Sequence, residues 1–136
     1  MEATARLRNV PLSPRKLRLV ADLVRGTRVD RGLNVLKLTH KKCSLPIQKL
    51  LLSAMANWEV KNEGATVDDN VLYVKSIYVD GASMLKRLNP APQGRAHRIR
   101  KRSSHVTLVV DVLPQSDAVS TVDRKTIKTN TDGTKD

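Results

Sequence analysis

The chain has 136 residues, with 25 Lys and Arg against 13 Asp and Glu, for a formal charge of +12. One cysteine, no Phe, one Trp and two Tyr exclude a disulfide framework, a multi-cysteine zinc site and the clustered aromatics of a base-stacking surface. No apolar run approaches the ~20 residues that span a bilayer, no signal-type stretch opens the chain, and so large a charge calls for a polyanionic partner.

In chain order, the segment Ala5–Val10 reads as a strand. A helix follows, with Ser13 as its cap, Pro14 in its first turn and Gly26 at its end. Leu17, Val20, Ala21 and Val24 share one face of it at helical spacing, which leaves Arg15, Lys16, Arg18 and Arg25 on the others. A short second helix is expected from a cap at Asp30 to about Thr39, burying Leu33 and Leu36. A longer third helix is expected from Ser44–Pro46 to Asn62–Gly64, and its stripe of Ile47, Leu50, Leu51, Ala54, Met55 and Trp58 is the candidate core. Two β-rich runs follow, Val71–Val79 and Val106–Val112, the second alternating Val106, Leu108, Val110 and Val112 on one face. Together these elements predict an α+β domain, with three helices packed on a small three-stranded antiparallel sheet.

The charge is concentrated. Residues 1–113 hold 21 basic and 9 acidic side chains, the whole of the +12, while 114–136 balances four basic residues against four Asp. Seven of those last 23 residues are Ser or Thr, and Val119, Val122 and Ile127 are too few to bury a core, so 114–136 reads as a disordered polar tail. Between the two strand runs, Gly81 to Val110 contains 30 residues with no acid and seven Lys or Arg. Its centre, KRLNPAPQGRAHRIRKR from Lys86 to Arg102, carries Pro90, Pro92 and Gly94 as turn residues. The simplest fold is a hairpin that continues the strands outward to a tip at Asn89–Arg95. Arms of about 13 residues at ~3.3 Å each would reach roughly 40 Å. Arg outnumbers Lys there five to two, and the planar guanidinium fork suits phosphate.

Catalysis finds little to use. His40 lies three residues from Cys43, but no third orienting group is evident and Cys is commonly a small buried hydrophobe. Asp68 and Asp69 with Glu59 and Glu63 read as a helix end and a solvated turn. His97 and His105 sit among cations that discourage a metal ion. The rival binding class is a DNA-bending protein whose ribbon tip wedges between base steps, but that design normally uses two arms of a dimer, and no dimer seam is evident.

Four stretches carry a resemblance: SPRKLRLVADLVRG (Ser13–Gly26), LLSAMANWE (Leu51–Glu59), VKSIYVDGASMLKRL (Val74–Leu88) and PAPQGRAHRIRKRSSHVTLVV (Pro90–Val110). In this order they resemble the family of bacterial-type large ribosomal subunit protein twenty-two, covering most of residues 5–112. The resemblance implies a non-enzymatic constituent of the large ribosomal subunit; the absence of a transit-type stretch favours a bacterial cytoplasm, with an organelle as the alternative. Such a protein binds large-subunit rRNA, supports assembly, and lines the nascent-polypeptide exit tunnel with its hairpin, near where macrolides bind. It implies a ribosomal protein domain over 1–113, with a globular part at about 1–80 and 105–113 and the hairpin at about 81–104. The residues then expected at rRNA are Arg15, Lys16, Arg18 and Arg25, with Lys86, Arg87, Arg95, His97, Arg98, Arg100, Lys101, Arg102 and His105. Leu88, Asn89, Pro90, Ala91, Pro92, Gln93 and Gly94 are expected at the tunnel constriction. Expected partners are the rRNA, neighbouring large-subunit proteins including protein four, and the nascent chain; no cofactor, metal, membrane or homo-oligomer is expected. The hairpin is one residue longer before Lys86 than in many relatives, and Asn89 and Ala91 stand where basic or bulkier residues are common.

Overall fold

The computed structural model describes residues 2–62 and 71–113. Its elements are β1 (Ala3–Val10), α1 (Pro14–Val24), α2 (Val29–Leu38), α3 (Ser44–Lys61), β2 (Leu72–Pro90), a 3-10 turn (Pro92–Gly94) and β3 (Ala96–Val112). The three strands form one antiparallel sheet in the order β1-β3-β2. The three helices cover one face of it, the expected α+β arrangement. The tail 114–136 and the acids Glu63, Asp68 and Asp69 lie outside the described residues.

The core is built where the two periodicities meet. In the sheet, Ala3, Val110 and Val74 lie side by side on the three strands, as do Ala5, Leu108 and Ile77, all buried. Against them pack Leu17, Val20, Ala21 and Val24 of α1 and Ile47, Leu50, Leu51, Ala54 and Trp58 of α3. Burial of each large aliphatic here contributes roughly 1.5–3 kcal/mol relative to exposure. Met55 and Val112 are only partly buried at the edge of this core. Polar ties fix the layers: Asn57 donates to the Thr4 carbonyl at 3.1 Å, the Ser44 hydroxyl donates to the Leu36 carbonyl, and the buried Ser104 hydroxyl donates to the Leu12 carbonyl at 2.7 Å.

Several boundaries differ from the sequence expectation. β1 begins at Ala3 rather than Ala5. Ser13 occupies the α1 N-cap position, but its side chain makes no capping bond. Gly26 does follow the helix end, at φ +70, a left-handed conformation that glycine adopts without a Cβ penalty. Asp30 is not the cap of α2; Arg28 is, and Asp30 falls in the first turn. The reason is tertiary: Gly26 N–H donates to the Val74 carbonyl and Val74 N–H to the Thr27 carbonyl, while Arg28 bridges Tyr73. These bonds hold the α1–α2 connection extended along β2 until Val29. Leu33 is half-buried, and Val29 and Gly32 are buried beside Leu36.

The expected hairpin is present: β2 and β3 continue past the domain surface as one paired ladder from Leu72↔Val112 to Pro90↔Ala96. The arm from Asp80 to Pro90 covers about 33 Å at ~3.3 Å per residue, somewhat short of the expected reach. A bulge lies at its root, where Ala82 and Ser83 together oppose Ser103 between the pairs Gly81↔Ser104 and Met84↔Arg102. This bulge re-aims the ribbon as it leaves the sheet.

Candidate nucleic-acid interface

Beyond the bulge, the ladder sorts the side chains onto two faces, because directly opposed residues share a face and successive residues alternate. One face carries Met84, Lys86, Leu88 and Pro90 with Ala96, Arg98, Arg100 and Arg102; the other carries Leu85, Arg87 and Asn89 with His97, Ile99 and Lys101. The first face therefore holds four cations and the second two. Arg98, Arg100 and Arg102 form a comb with steps of about 6.6 Å, twice the rise per strand residue. Lys86 stands directly opposite Arg100, a like-charge pair that weakens an isolated ribbon. Among the described residues the ion pairs are Arg25–Asp22, Lys75–Glu2 and Lys75–Asp111; the seven hairpin cations take no part in them. An open hollow of about 640 Å³ on the ribbon is lined by Lys86, Arg87, Leu88, Arg98, Ile99 and Arg100. Aliphatic surface there is interleaved with guanidinium groups.

The tip is tighter than the sequence suggested. Asn89 and Pro90 still belong to the ladder, paired with His97 and Ala96. The turn itself is Ala91–Arg95, closed by the Ala91 N–H donating to the Arg95 carbonyl at 2.8 Å. Pro90 ends the strand where a missing N–H costs no ladder bond. Gln93 and Gly94 both take positive φ, +62 and +67. Glycine does so freely, whereas Gln93 is held there against its preference.

The basic helix divides. Arg15 and Lys16 project from the first turn of α1 and are exposed. Arg18 instead turns to the sheet, where its Nε and Nη2 donate to the Val79 carbonyl at 3.3 and 3.0 Å. Arg25 donates to Asp22 Oδ1 at 2.6 Å and to the Ile77 carbonyl at 3.3 Å. Each guanidinium has five N–H donors, so donors remain on both, but these two side chains also clamp α1 to β2. The start of α1 adjoins the ribbon root, since Pro11 and Ser13 share a hollow of about 450 Å³ with Leu85, Arg100, Lys101, Arg102 and Ser103. The fold thus brings the α1 N-terminus and the hairpin stem into one basic zone.

Sequence reasoning missed Arg6 and Arg8. Both are exposed on β1 beside His105, and the signal was the alternation of Ala3, Ala5 and Leu7 with them. It also missed Lys75, displaced from the ladder by a bulge between Val74 and Ser76. Its ammonium bonds Glu2 and Asp111, and these hydrogen bonds, that to Glu2 foremost, raise its pKa. For Asp111, burial pushes the carboxyl pKa up, but the bonds from Lys75 and the Val112 N–H together hold it below its ordinary value. Cys43 is buried and His40 exposed, with no hydrogen bond joining them among the described residues.

The molecule is thus a small α+β domain that carries a basic β-ribbon arm. The family model for ribosomal protein L22p/L17e matches residues 5–111, and the chain belongs to that family. It is 62% identical over 108 residues to the large ribosomal subunit protein uL22 of Christiangramia forsetii, covering 79% of this chain and 80% of the relative. It is 62% identical over 109 residues to the protein of the same name from Porphyromonas gingivalis, covering 80% and 81%. With that of Flavobacterium psychrophilum it shares 56% over 118 residues, covering 87% and 86%.

Proposed function

We propose that this chain is a structural, non-catalytic constituent of the large ribosomal subunit. It binds large-subunit rRNA during assembly and lines the polypeptide exit tunnel with its hairpin. The observation that carries this reading is the ribbon Met84–Arg102: two paired arms, acid-free, with seven cations that pair with no carboxylate among the described residues. An exposed two-stranded ribbon with repelling charges has little stability of its own in water; a surrounding phosphate backbone supplies both neutralisation and shape. Arg98, Arg100, Arg102 and Lys86 meet phosphates from one face, and Arg15 and Lys16 extend the contact to the domain. Arg87, Arg95, Lys101, His97 and His105 complete the basic set, while Arg18 and Arg25 contribute donors not used in clamping α1. The uncharged tip, Leu88–Gly94, reaches the constriction, where protein four and the nascent chain are its neighbours. The site of action is the ribosome of a bacterial cytoplasm. The domain spans 1–113, with 81–104 as the hairpin.

The test is co-sedimentation of the full chain with large subunits, combined with a crosslink from residues 89–95 to a nascent peptide. Recovery in the large-subunit fraction with a tip-specific crosslink is the expected result. Tighter binding to random duplex DNA than to large-subunit rRNA would overturn the reading in favour of an architectural DNA-binding protein.

A further inference from the structure

On the side of the ribbon root away from α1, the open face of the sheet holds a hollow of about 540 Å³ lined by Arg6, Leu7, Arg8, Asn9, Ser83, His105, Val106 and Thr107. Two irregularities build it. On β1 the register slips between Leu7 and Val10, with Asn9 in the left-handed region at φ +55. On β2 the bulge at Ala82–Ser83 brings Ser83 to the same rim. The β1 bulge also turns the Asn9 N–H toward His105, whose Nδ1 accepts it at 3.1 Å. An imidazole that accepts at Nδ1 carries its proton on Nε2, so its outer nitrogen is a donor. The ionisable and hydroxyl groups at this rim are thus two guanidinium groups, an imidazole N–H and the hydroxyls of Ser83 and Thr107, with no carboxylate lining it among the described residues. Asp80, directly opposed to His105 on β2, shares its face of the sheet, but it lies across β3 from Arg6 and Arg8 and does not line the hollow.

We propose that this hollow is a second rRNA contact, separate from the hairpin arm, that seats a backbone phosphodiester between Arg6, Arg8 and the Nε2–H of His105. It rests on the rRNA-binding reading above and deepens it. Arg6 and Arg8 form no ion pair among the described residues, so their charged donors are left to select an anionic oxygen. The place of the hollow, where the ribbon leaves the sheet, means that a phosphate held here fixes the direction in which the ribbon enters the RNA. Backbone phosphate contacts of this kind set register and orientation rather than sequence.

The test uses the full chain and protein-free large-subunit rRNA, with affinity measured across salt and protected nucleotides mapped by hydroxyl-radical cleavage. Four proteins are compared: wild type, Arg6→Gln with Arg8→Gln, a hairpin variant (Arg98→Gln with Arg100→Gln), and a charge-matched control (Lys41→Gln with Lys42→Gln). Arg6 and Arg8 are exposed, so the first double variant keeps the wild-type melting temperature. Its log–log salt slope should fall by about 1.4–1.8 if two phosphate contacts are lost, and it should lose a patch of protection different from the patch lost by the hairpin variant. His105→Gln, which returns an amide N–H near the Nε2 position, should retain that patch, whereas His105→Leu should weaken it. If the Arg6/Arg8 variant matches wild type, or if its loss equals that of the lysine control with no patch of its own, the inference falls while the rRNA-binding reading stands. If the hairpin variant also binds like wild type, the rRNA-binding reading falls with it.

Discussion

Replacing Arg98, Arg100 and Arg102 together with Gln removes three of the four cations on one face of the ribbon and nothing from the domain. All three are exposed and none forms an ion pair among the described residues, so urea midpoint and melting temperature should not change. The effect should fall on rRNA affinity and, more tellingly, on its salt dependence. Each neutralised phosphate contributes about 0.7 to the log–log salt slope for single strands and about 0.9 for duplex, so three lost contacts flatten it by about 2.1–2.7. Between about 50 and 200 mM salt, the gap between wild type and variant should therefore narrow roughly 20- to 40-fold. Filter binding to large-subunit rRNA at four salt concentrations measures this directly. The opposite-face variant, Arg87→Gln with Lys101→Gln, should show a smaller change per cation removed. A triple variant weaker than wild type by the same factor at every salt concentration would refute the reasoning, because the three arginines would then act through something other than phosphate neutralisation.

Deleting Pro90–Gln93 should leave subunit occupancy nearly normal, since the pairs from Asn89↔His97 inward remain, yet change macrolide sensitivity; loss of the variant from subunits would contradict it. Leu51 is fully buried and packs near Gly32, so Leu51→Ala should cost about 2–5 kcal/mol in urea unfolding. An added Cβ at Gly26 meets no atom within 4 Å, so Gly26→Ala should cost only the left-handed backbone penalty, about 1–2 kcal/mol. The Asp111 carboxyl is lowered in the folded state, so its contribution is present above its unfolded pKa and is lost as pH falls through the folded one. Lys75→Met removes a donor that lowers it, and the acid limb of the stability–pH curve should become shallower; an unchanged limb would show that the pair contributes nothing measurable.

What the sequence determined by itself was the inventory of elements and the chemistry of the ribbon. The stripes Leu17–Val20–Ala21–Val24 and Ile47–Leu50–Leu51–Ala54–Trp58 fix two helices by local periodicity, and the alternation Val106–Leu108–Val110 fixes the central strand, because a face that must be buried repeats at the period of its backbone. The absence of acids from Gly81 to Val110 is a property of composition, legible without coordinates. Tertiary structure decided what depends on partners distant in sequence. The Asp30 cap gave way to Arg28 because β2 holds the preceding residues extended. Arg18 and Arg25, grouped with Arg15 and Lys16 by charge alone, turned to carbonyls of β2. The two faces of the ribbon, with their four and two cations, follow from a register set by cross-strand pairing and by a bulge that no local signal announces. The hollow of Arg6, Arg8 and His105 joins residues about a hundred positions apart, which only the pairing of β1 with β3 brings together, since strand pairing is a contact between segments rather than a preference of either one.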